Sequence, residues 1–318
     1  MTTLLELREA IRNIYTRYET WITYLWKFLL AFFALWLIGH EIGYESALTS
    51  MPIILMAALL CCIMPANFMV VVCAGFILVH LYRLAPQYML VALVVFLLMF
   101  LLYFRFSPRD TLAVMLTPIC VWLRIPYVMP IALGLLGGPY SVVSVSFGLL
   151  VAYLLSYISG NAMVLGSSDI EEAATQFQIL LSQLIDNKQM WVTIGAFAVT
   201  VVVVYLLRRL PVDHSWTIAI LAGGVTQIVS LLIGDLLFST RLSILSVILG
   251  TVLAVGIAFL IEFFVFHLDY SRIERVQFED DEYYYYVKAV PKVTVSAQDR
   301  QVKQINRGPR ERDSYKNG

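Results

Sequence analysis

The feature that most constrains this chain is a succession of eight apolar runs, most of them close to the length that crosses a lipid bilayer. A spanning helix needs about 20 mostly apolar residues. Helices suit this environment because they satisfy their own backbone hydrogen bonds. We therefore predict an all-α integral membrane protein with about eight transmembrane helices. The runs cover residues 21–39, 46–63, 66–83, 86–104, 140–159, 190–207, 215–237 and 243–266.

The composition agrees with this class. Hydrophobic residues make up 60% of the chain and charged residues only 14%, whereas about a quarter of the residues in soluble domains are charged. The mean hydropathy is +0.80. All four cysteines lie inside apolar runs without disulfide or metal-ligand spacing, so we interpret them as small buried hydrophobic residues.

The stretch 108–138 is apolar but cannot form one smooth spanning helix. Three prolines and Arg124 interrupt it, and proline both removes a backbone donor and clashes with the preceding turn. We therefore predict two short helical pieces with a break from Leu123 to Pro126. Unpaired backbone at membrane depth must be buried in protein or face a water-filled cavity.

The distribution of arginines predicts the orientation, because positive residues on short loops favour the cytoplasm. The loops that carry most of the arginines lie on the same side of the membrane only if 108–138 crosses the bilayer an even number of times. We therefore predict a re-entrant hairpin that enters from the cytoplasm with Arg124 near its tip, or two short spans. Both termini are then cytoplasmic, and Arg83 and Arg241 lie on the other side. The arginines used are Arg8, Arg12, Arg17, Arg105, Arg109, Arg208, Arg209, Arg272 and Arg275.

Two polar segments have helical periodicity. One leads into the first run, and either binds lipid at the cytoplasmic interface or only connects to that run. The other, 168–187, begins with a capping box and is predicted to be an external amphipathic helix, either a link between spans or a lid. The predicted order is an interfacial helix (1–20), four transmembrane helices (21–107), the broken segment (108–138), the remaining transmembrane helices (139–266) and a cytoplasmic tail (267–318).

Interrupted apolar segments in two halves of a chain indicate a transporter binding site near the bilayer midplane. The run 215–237 contains Gly223-Gly224 and several polar residues, and 103–153 can be laid over 205–256 at low identity. Arg124 is the sharpest candidate, although a shallow interfacial loop is the alternative. Hydroxyl groups here can also serve only to satisfy freed carbonyls. The candidate substrate-binding residues are Arg124, Thr117, Tyr127, Gln227, Asp235 and Glu262.

The sequence contains no recognisable catalytic motif. His40-Glu41 starts like a zinc-protease motif, but Tyr44 replaces the second histidine. There is no nucleophile elbow and no phosphate-binding loop. We therefore predict a protein that is not an enzyme and has no metal or cofactor. An ATP-driven role would need a separate ATPase subunit, and the tail is too mixed in charge to bind nucleic acid.

The tail combines an acidic run with aromatic and β-branched residues. Two short strand-like pieces, broken at Pro291, are predicted after the acidic run. An extended segment within 274–296 could add to the sheet of a cytoplasmic protein partner. The alternative is a disordered tail held near the lipid headgroups. The candidate partner-binding residues are Tyr283, Tyr284, Tyr285, Tyr286 and Val287.

The tail also carries a resemblance. The sequence EDDEYYYYVKAVPKVTV, after a last run that ends in FFVFHLDYSR, resembles the C-terminal mark of an uncharacterised group of multi-pass membrane proteins from Gram-positive anaerobic bacteria, loosely labelled transporter permeases. The resemblance extends from the interrupted segment through the tail. It implies a bacterial plasma membrane and no particular activity.

Two functional hypotheses follow. The first is a permease-like protein that moves or binds a small solute at a site built from the interrupted segments. The second is a scaffold of an envelope or secretion assembly that recruits a cytoplasmic partner through its tail.

Overall fold

The structure is a computed structural model that describes residues 14–108, 110–165 and 182–265, a few residues on either side, and the backbone of two strands in the tail. The chain divides into two units. Residues 14–266 form one unit, and residues 1–13 with 267–318 form the other. Most of residues 1–13 of the predicted interfacial helix (1–20) lie outside the described residues, while residues 14–17 are helical, and the predicted external helix at 168–187 lies largely outside them.

Ten helices of the first unit are well described. They are α1 (Glu19–Ile42), α2 (Met51–Ile63), α3 (Ala66–Leu84), α4 (Pro86–Phe106), α5 (Thr111–Trp122), α6 (Val128–Leu136), α7 (Ser141–Leu165), α8 (Lys188–Arg208), α9 (Ser215–Phe238) and α10 (Ile244–Val265).

Within the described residues, seven of these helices are long and apolar enough to cross a membrane. The chain is therefore an all-α, multi-pass membrane protein in contact with the lipid bilayer. The predicted run 46–63 is the exception, because only α2 is helical there. α2 has only 13 residues, with a proline in its first turn. It follows the turns that come after Ile42.

The broken segment forms two short helices, as predicted. α5 ends at Trp122 and α6 begins at Val128, and Arg124 between them has a left-handed backbone with φ of 61°. Only one proline lies in the break. Pro118 is accommodated inside α5, and Pro130 lies in the first turn of α6, where a missing N–H costs nothing.

The two ends of the broken segment lie side by side, which is the geometry that a re-entrant hairpin requires. Before α5, the Asp110 carboxylate accepts hydrogen bonds from Ser107 (2.9 Å) and from Ser141 at the start of α7 (2.6 Å). The Ser107 and Ser144 hydroxyls lie 2.7 Å apart. We call these four residues the base network.

The basic residues that follow α4 and α8 lie at the same end of the bundle as the base network. Arg208 in the last turn of α8 donates to the Gly137 carbonyl at the end of α6 (2.6 Å), and Arg105 lies in the last turn of α4. We call this the basic end. At the opposite end, the far end, Arg83 pairs with Glu45.

Two apolar cores flank the hairpin. The first takes residues from α1–α5 and α7, and the second takes residues from α6, α8, α9 and α10. Most of α5 therefore belongs to the first core and most of α6 to the second, while a smaller cluster on α7 and α8 contacts both arms through Val121 and Leu133.

The run 215–237 is not interrupted, contrary to the sequence prediction. α9 is one continuous helix of 24 residues. A β-carbon on Gly223 would collide with Val204 of α8, and one on Gly224 would lie 2.7 Å from Val255 of α10. The two glycines thus serve close helix packing rather than a break, as is common in membrane proteins.

The second unit contains two antiparallel strands, β1 (Glu274–Glu279) and β2 (Tyr284–Ala289), in which Gln277 faces Tyr286. The tyrosine run is thus a strand, as predicted. Its partner precedes the acidic run, whereas the predicted second piece beyond Pro291 lies outside the described residues.

Candidate functional site

A cavity of the first unit lies beside one arm of the hairpin, among α1, α3, α4, α5 and α7. Its volume is about 160 Å³. α5 contributes a stripe at helical spacing that includes Val114, Pro118 and Trp122. Most of the other lining side chains are aliphatic, so the interior suits an apolar group.

Three polar side chains line the cavity, two of them exposed and one, Glu41, half-buried, and we call them its rim. They are Glu41 in the last turn of α1, Trp122 in the last turn of α5, and Ser156 of α7. The Trp122 Nε1–H donates to Glu41 Oε1 at 2.8 Å. The rim therefore joins the end of the first span to the tip of the hairpin.

Aromatic rings hold Trp122 in place. Its ring makes edge-to-face contacts with Phe33 (6.2 Å between centroids) and Trp36 (6.3 Å), and His40 lies 6.4 Å away. Edge-to-face pairs are a preferred aromatic arrangement. With one hydrogen bond and three ring contacts, the indole is fixed before any ligand arrives.

A hydrogen-bonded group of polar side chains lies between the cavity and the basic end. Asn67 Oδ1 accepts hydrogen bonds from the Tyr103 hydroxyl (2.9 Å) and from Thr111, and Tyr103 is fully buried. We call these three residues the floor network. Each lies about one turn from a lining residue of its own helix, namely Val70, Met99 or Val114, so the network separates the cavity from that end.

Arg124 does lie at the tip of the hairpin, and its side chain is exposed. Among the described residues, its guanidinium makes no ion pair, because the single ion pair there is Arg83–Glu45. Arg124 is therefore paired with neither Asp235 nor Glu262.

The two acidic candidates have local partners at opposite ends of α9. Asp235 accepts from Thr240 Oγ1 (2.7 Å) and from the Leu242 N–H (3.0 Å), which closes the turn into α10. Glu262 accepts from Thr217 Oγ1 (2.9 Å). Thr217 and Asp235 are about 27 Å apart along the helix axis at 1.5 Å per residue, so the carboxylates cannot share one site.

Thr117 and Tyr127 serve packing. Thr117 Oγ1 donates to the Ala113 carbonyl at 2.6 Å, and its side chain packs against Gly148. This is the alternative role predicted for hydroxyl groups near a break. Tyr127 lies over Gly250 of α10 and makes an edge contact with Phe197 (6.1 Å).

Gln227 is the most unusual of the candidates. It is fully buried in α9, and neither its amide oxygen nor its amide nitrogen has a hydrogen-bond partner within the described part of the chain. The same holds for Thr251 Oγ1 on α10, which lies across from Gly224, one turn before Gln227. A polar group left unpaired in a buried site costs about 1–3 kcal/mol.

Sequence reasoning missed the cavity and its rim. Glu41 was considered only as part of an incomplete zinc motif. A carboxylate in the last turn of an apolar helix was the available signal. The contact with Trp122, 81 residues away, could not be read from the sequence. Among the described residues, no group of three or more His, Cys, Asp or Glu could hold a metal ion.

Comparisons of the chain with protein-family models, with curated proteins and with solved structures find no match. The resemblance to Gram-positive permease-like proteins thus stays a prediction.

Proposed function

We propose that this protein is a permease-like carrier that binds a small, largely apolar solute in the cavity beside α5. The observation that supports this proposal is the asymmetry of the cavity. It has a largely exposed polar rim near the far end, while the floor network separates it from the basic end. A carrier that works by alternating access has this form in one of its two states.

The hairpin also fits this proposal. Its arms belong mainly to two different cores, which a smaller cluster contacted by Val121 and Leu133 connects. A movement of one core relative to the other would be absorbed at residues 123–127. Arg124 in a left-handed conformation lies there, and hinges are often a few element-terminal residues that absorb large backbone changes.

Cells that produce the protein test the proposal when they are given a panel of labelled aromatic amines, aromatic acids and short-chain alcohols. Ala74 lines the cavity from α3, whereas a side chain on its neighbour Gly75 would meet nothing within 4 Å. We expect uptake of at least one compound above the background of cells without the protein. Ala74→Leu should abolish that uptake, and Gly75→Leu should preserve it.

Two results would reject the carrier function. One is that no compound in the panel enters faster with the protein than without it. The other is that Ala74→Leu and Gly75→Leu transport the compound equally well, which would place the path elsewhere.

We also propose a bacterial plasma membrane location with the basic end and both termini in the cytoplasm, following the positive-inside rule. Single cysteines in a cysteine-free background test this orientation. Asp186 near the far end and Asp213 at the basic end are both exposed. An impermeant maleimide should label a cysteine at 186 in intact cells, and one at 213 only after permeabilisation. The reverse pattern would invert the orientation.

The strands β1 and β2 favour a second candidate function, that of a scaffold. A two-stranded hairpin is marginally stable alone, and its open edges can accept a strand from another protein. A cytoplasmic partner bound through 274–296 would complete the sheet. If deletion of 274–318 changes neither the co-purifying proteins nor the phenotype, the scaffold function is rejected. The same co-purification would detect a separate ATPase subunit.

A further inference from the structure

The size of the cavity sets the size of the apolar group that it can hold. Its volume is about 160 Å³. An engineered apolar cavity of about 150 Å³ in another protein binds benzene. The cavity beside α5 therefore suits one aromatic ring or an aliphatic group of similar size.

The rim determines the charge that the ligand can carry. Among the twenty described residues that line the cavity, Glu41 is the only charged one. Trp122 bonds to Oε1 of Glu41, and no cation of the described chain lies within ion-pair distance of that carboxylate. A carboxylate only accepts hydrogen bonds, so Glu41 attracts a cation and repels an anion.

Trp122 adds a second reason to expect a cation. The indole is the side chain that binds cations best through its ring face, and such sites recognise quaternary ammonium groups. This indole is held beside the carboxylate by Phe33 and Trp36. His40 also contacts this indole through its ring.

From these observations we infer that the cavity binds an amphiphilic organic cation, with a ring-sized apolar body inside and one positive charge beside the Glu41 carboxylate and the Trp122 ring. This inference rests on the proposed carrier function and narrows its substrate class. It also assigns Glu41 and Trp122 as binding residues.

Three probes that share a ring and differ in charge test the inference. They are benzyltrimethylammonium (positive), benzyl alcohol (neutral) and phenylacetate (negative). Binding is measured by equilibrium dialysis against the full-length protein in nanodiscs, with empty nanodiscs as the blank. We expect benzyltrimethylammonium to bind about tenfold more tightly than benzyl alcohol, which corresponds to about 1.4 kcal/mol. Phenylacetate should not bind.

Glu41→Gln is the decisive variant, because glutamine keeps an oxygen for the Trp122 N–H and removes only the charge. We expect it to abolish the preference for the cation and to leave benzyl alcohol binding unchanged. Asp186→Asn removes an exposed charge near the far end and should change neither affinity. If Glu41→Gln retains the preference, or if phenylacetate binds as tightly as the cation, the inference is overturned.

The variants of α3 separate this inference from the carrier function. Ala74→Leu should remove the binding of every probe, and Gly75→Leu should remove none. If that pattern appears without charge selectivity, the cavity is a binding site but not one for cations. If Ala74→Leu binds the probes normally, or if the unmodified protein binds none of them, both proposals fail.

Discussion

The two arms of the hairpin are similar in composition but differ in how they pack. α5 lies against a cavity of about 160 Å³, whereas α6 lies directly against α8. A β-carbon on Gly134 of α6 would be 2.6 Å from Cβ of Val204 and 3.1 Å from the Val201 carbonyl oxygen. α5 therefore has open space on its cavity side, although Thr117 holds it close to Gly148 of α7, whereas α6 has no room at Gly134.

This difference indicates which arm can move. Small residues let membrane helices approach closely, and close packing is a main source of their association energy. A side chain next to a void loses those contacts. We therefore interpret α6 with α8, α9 and α10 as the rigid part of the bundle, and the cavity-facing side of α5 as the part that adjusts to a ligand.

The largest change in stability is expected from Gly134→Ala. Because the new methyl group has no room between α6 and α8, we expect a loss of about 3 kcal/mol, at the upper end for overpacking. Thermal unfolding of the purified protein in detergent measures it.

Two further variants control for helix propensity and for the contact itself. A β-carbon on Gly195 in α8 meets nothing within 4 Å, so Gly195→Ala should be neutral or slightly stabilising. Combining Gly134→Ala with Val204→Gly, which removes the β-carbon that the new methyl group meets, should recover part of the loss. If Gly134→Ala is as stable as Gly195→Ala, the rigid arm is not tightly packed.

The second effect concerns the base network, which joins the two arms. Asp110→Ala removes the acceptor of the Ser107 and Ser141 hydroxyls, and Ser141 is fully buried. We expect a loss of about 2 kcal/mol, since a buried donor left unpaired costs about 1–3 kcal/mol. Thermal unfolding in detergent is again the measurement.

Asp213→Ala is the matched control, because Asp213 is an exposed carboxylate at the same end of the bundle. It should leave the unfolding temperature unchanged. Equal effects of the two substitutions would mean that the base network does not fasten the hairpin.

The smallest change in stability is expected from Gln227→Leu, and unlike the other two it is an increase. This residue lies in the rigid part, yet its amide has no hydrogen-bond partner among the described residues. Replacing it by an apolar side chain of similar size should stabilise the protein by about 1 kcal/mol, seen as a higher unfolding temperature. Thr251→Val should act in the same direction. A clear loss of stability in Gln227→Leu would mean that the amide has a partner and that the rigid part contains a polar site.

The sequence alone predicts a multi-pass helical membrane protein and the positions of most helices, because an apolar run of this length has few structures other than a helix available to it in a bilayer. The sequence also predicts the hairpin. The break at Arg124 follows from proline chemistry, and the return to the starting side follows from the arginines on both sides of 108–138.

The site could not be predicted, because it depends on contacts between distant segments. The six candidate residues were chosen for chemical type, and local partners turned out to satisfy three of them, Thr117, Asp235 and Glu262. The double glycine in α9 was misread because a glycine can break a helix or allow close packing, and only the neighbouring helices decide which. Glu41 became a candidate only when the fold placed Trp122 beside it.

The short helix α2 has a mechanical consequence for the surrounding lipid. Its 13 residues span about 20 Å, some 10 Å less than the hydrocarbon layer. Its outer face is apolar, with Leu55, Met56 and Leu59 exposed. Near its end, the Lys27 ammonium reaches the Met64 carbonyl (3.5 Å). The bilayer beside α2 must therefore become thinner to match this face, and the energetic cost of that thinning grows with the length of the lipid acyl chains. The thickness of the membrane therefore influences the first core and the cavity within it.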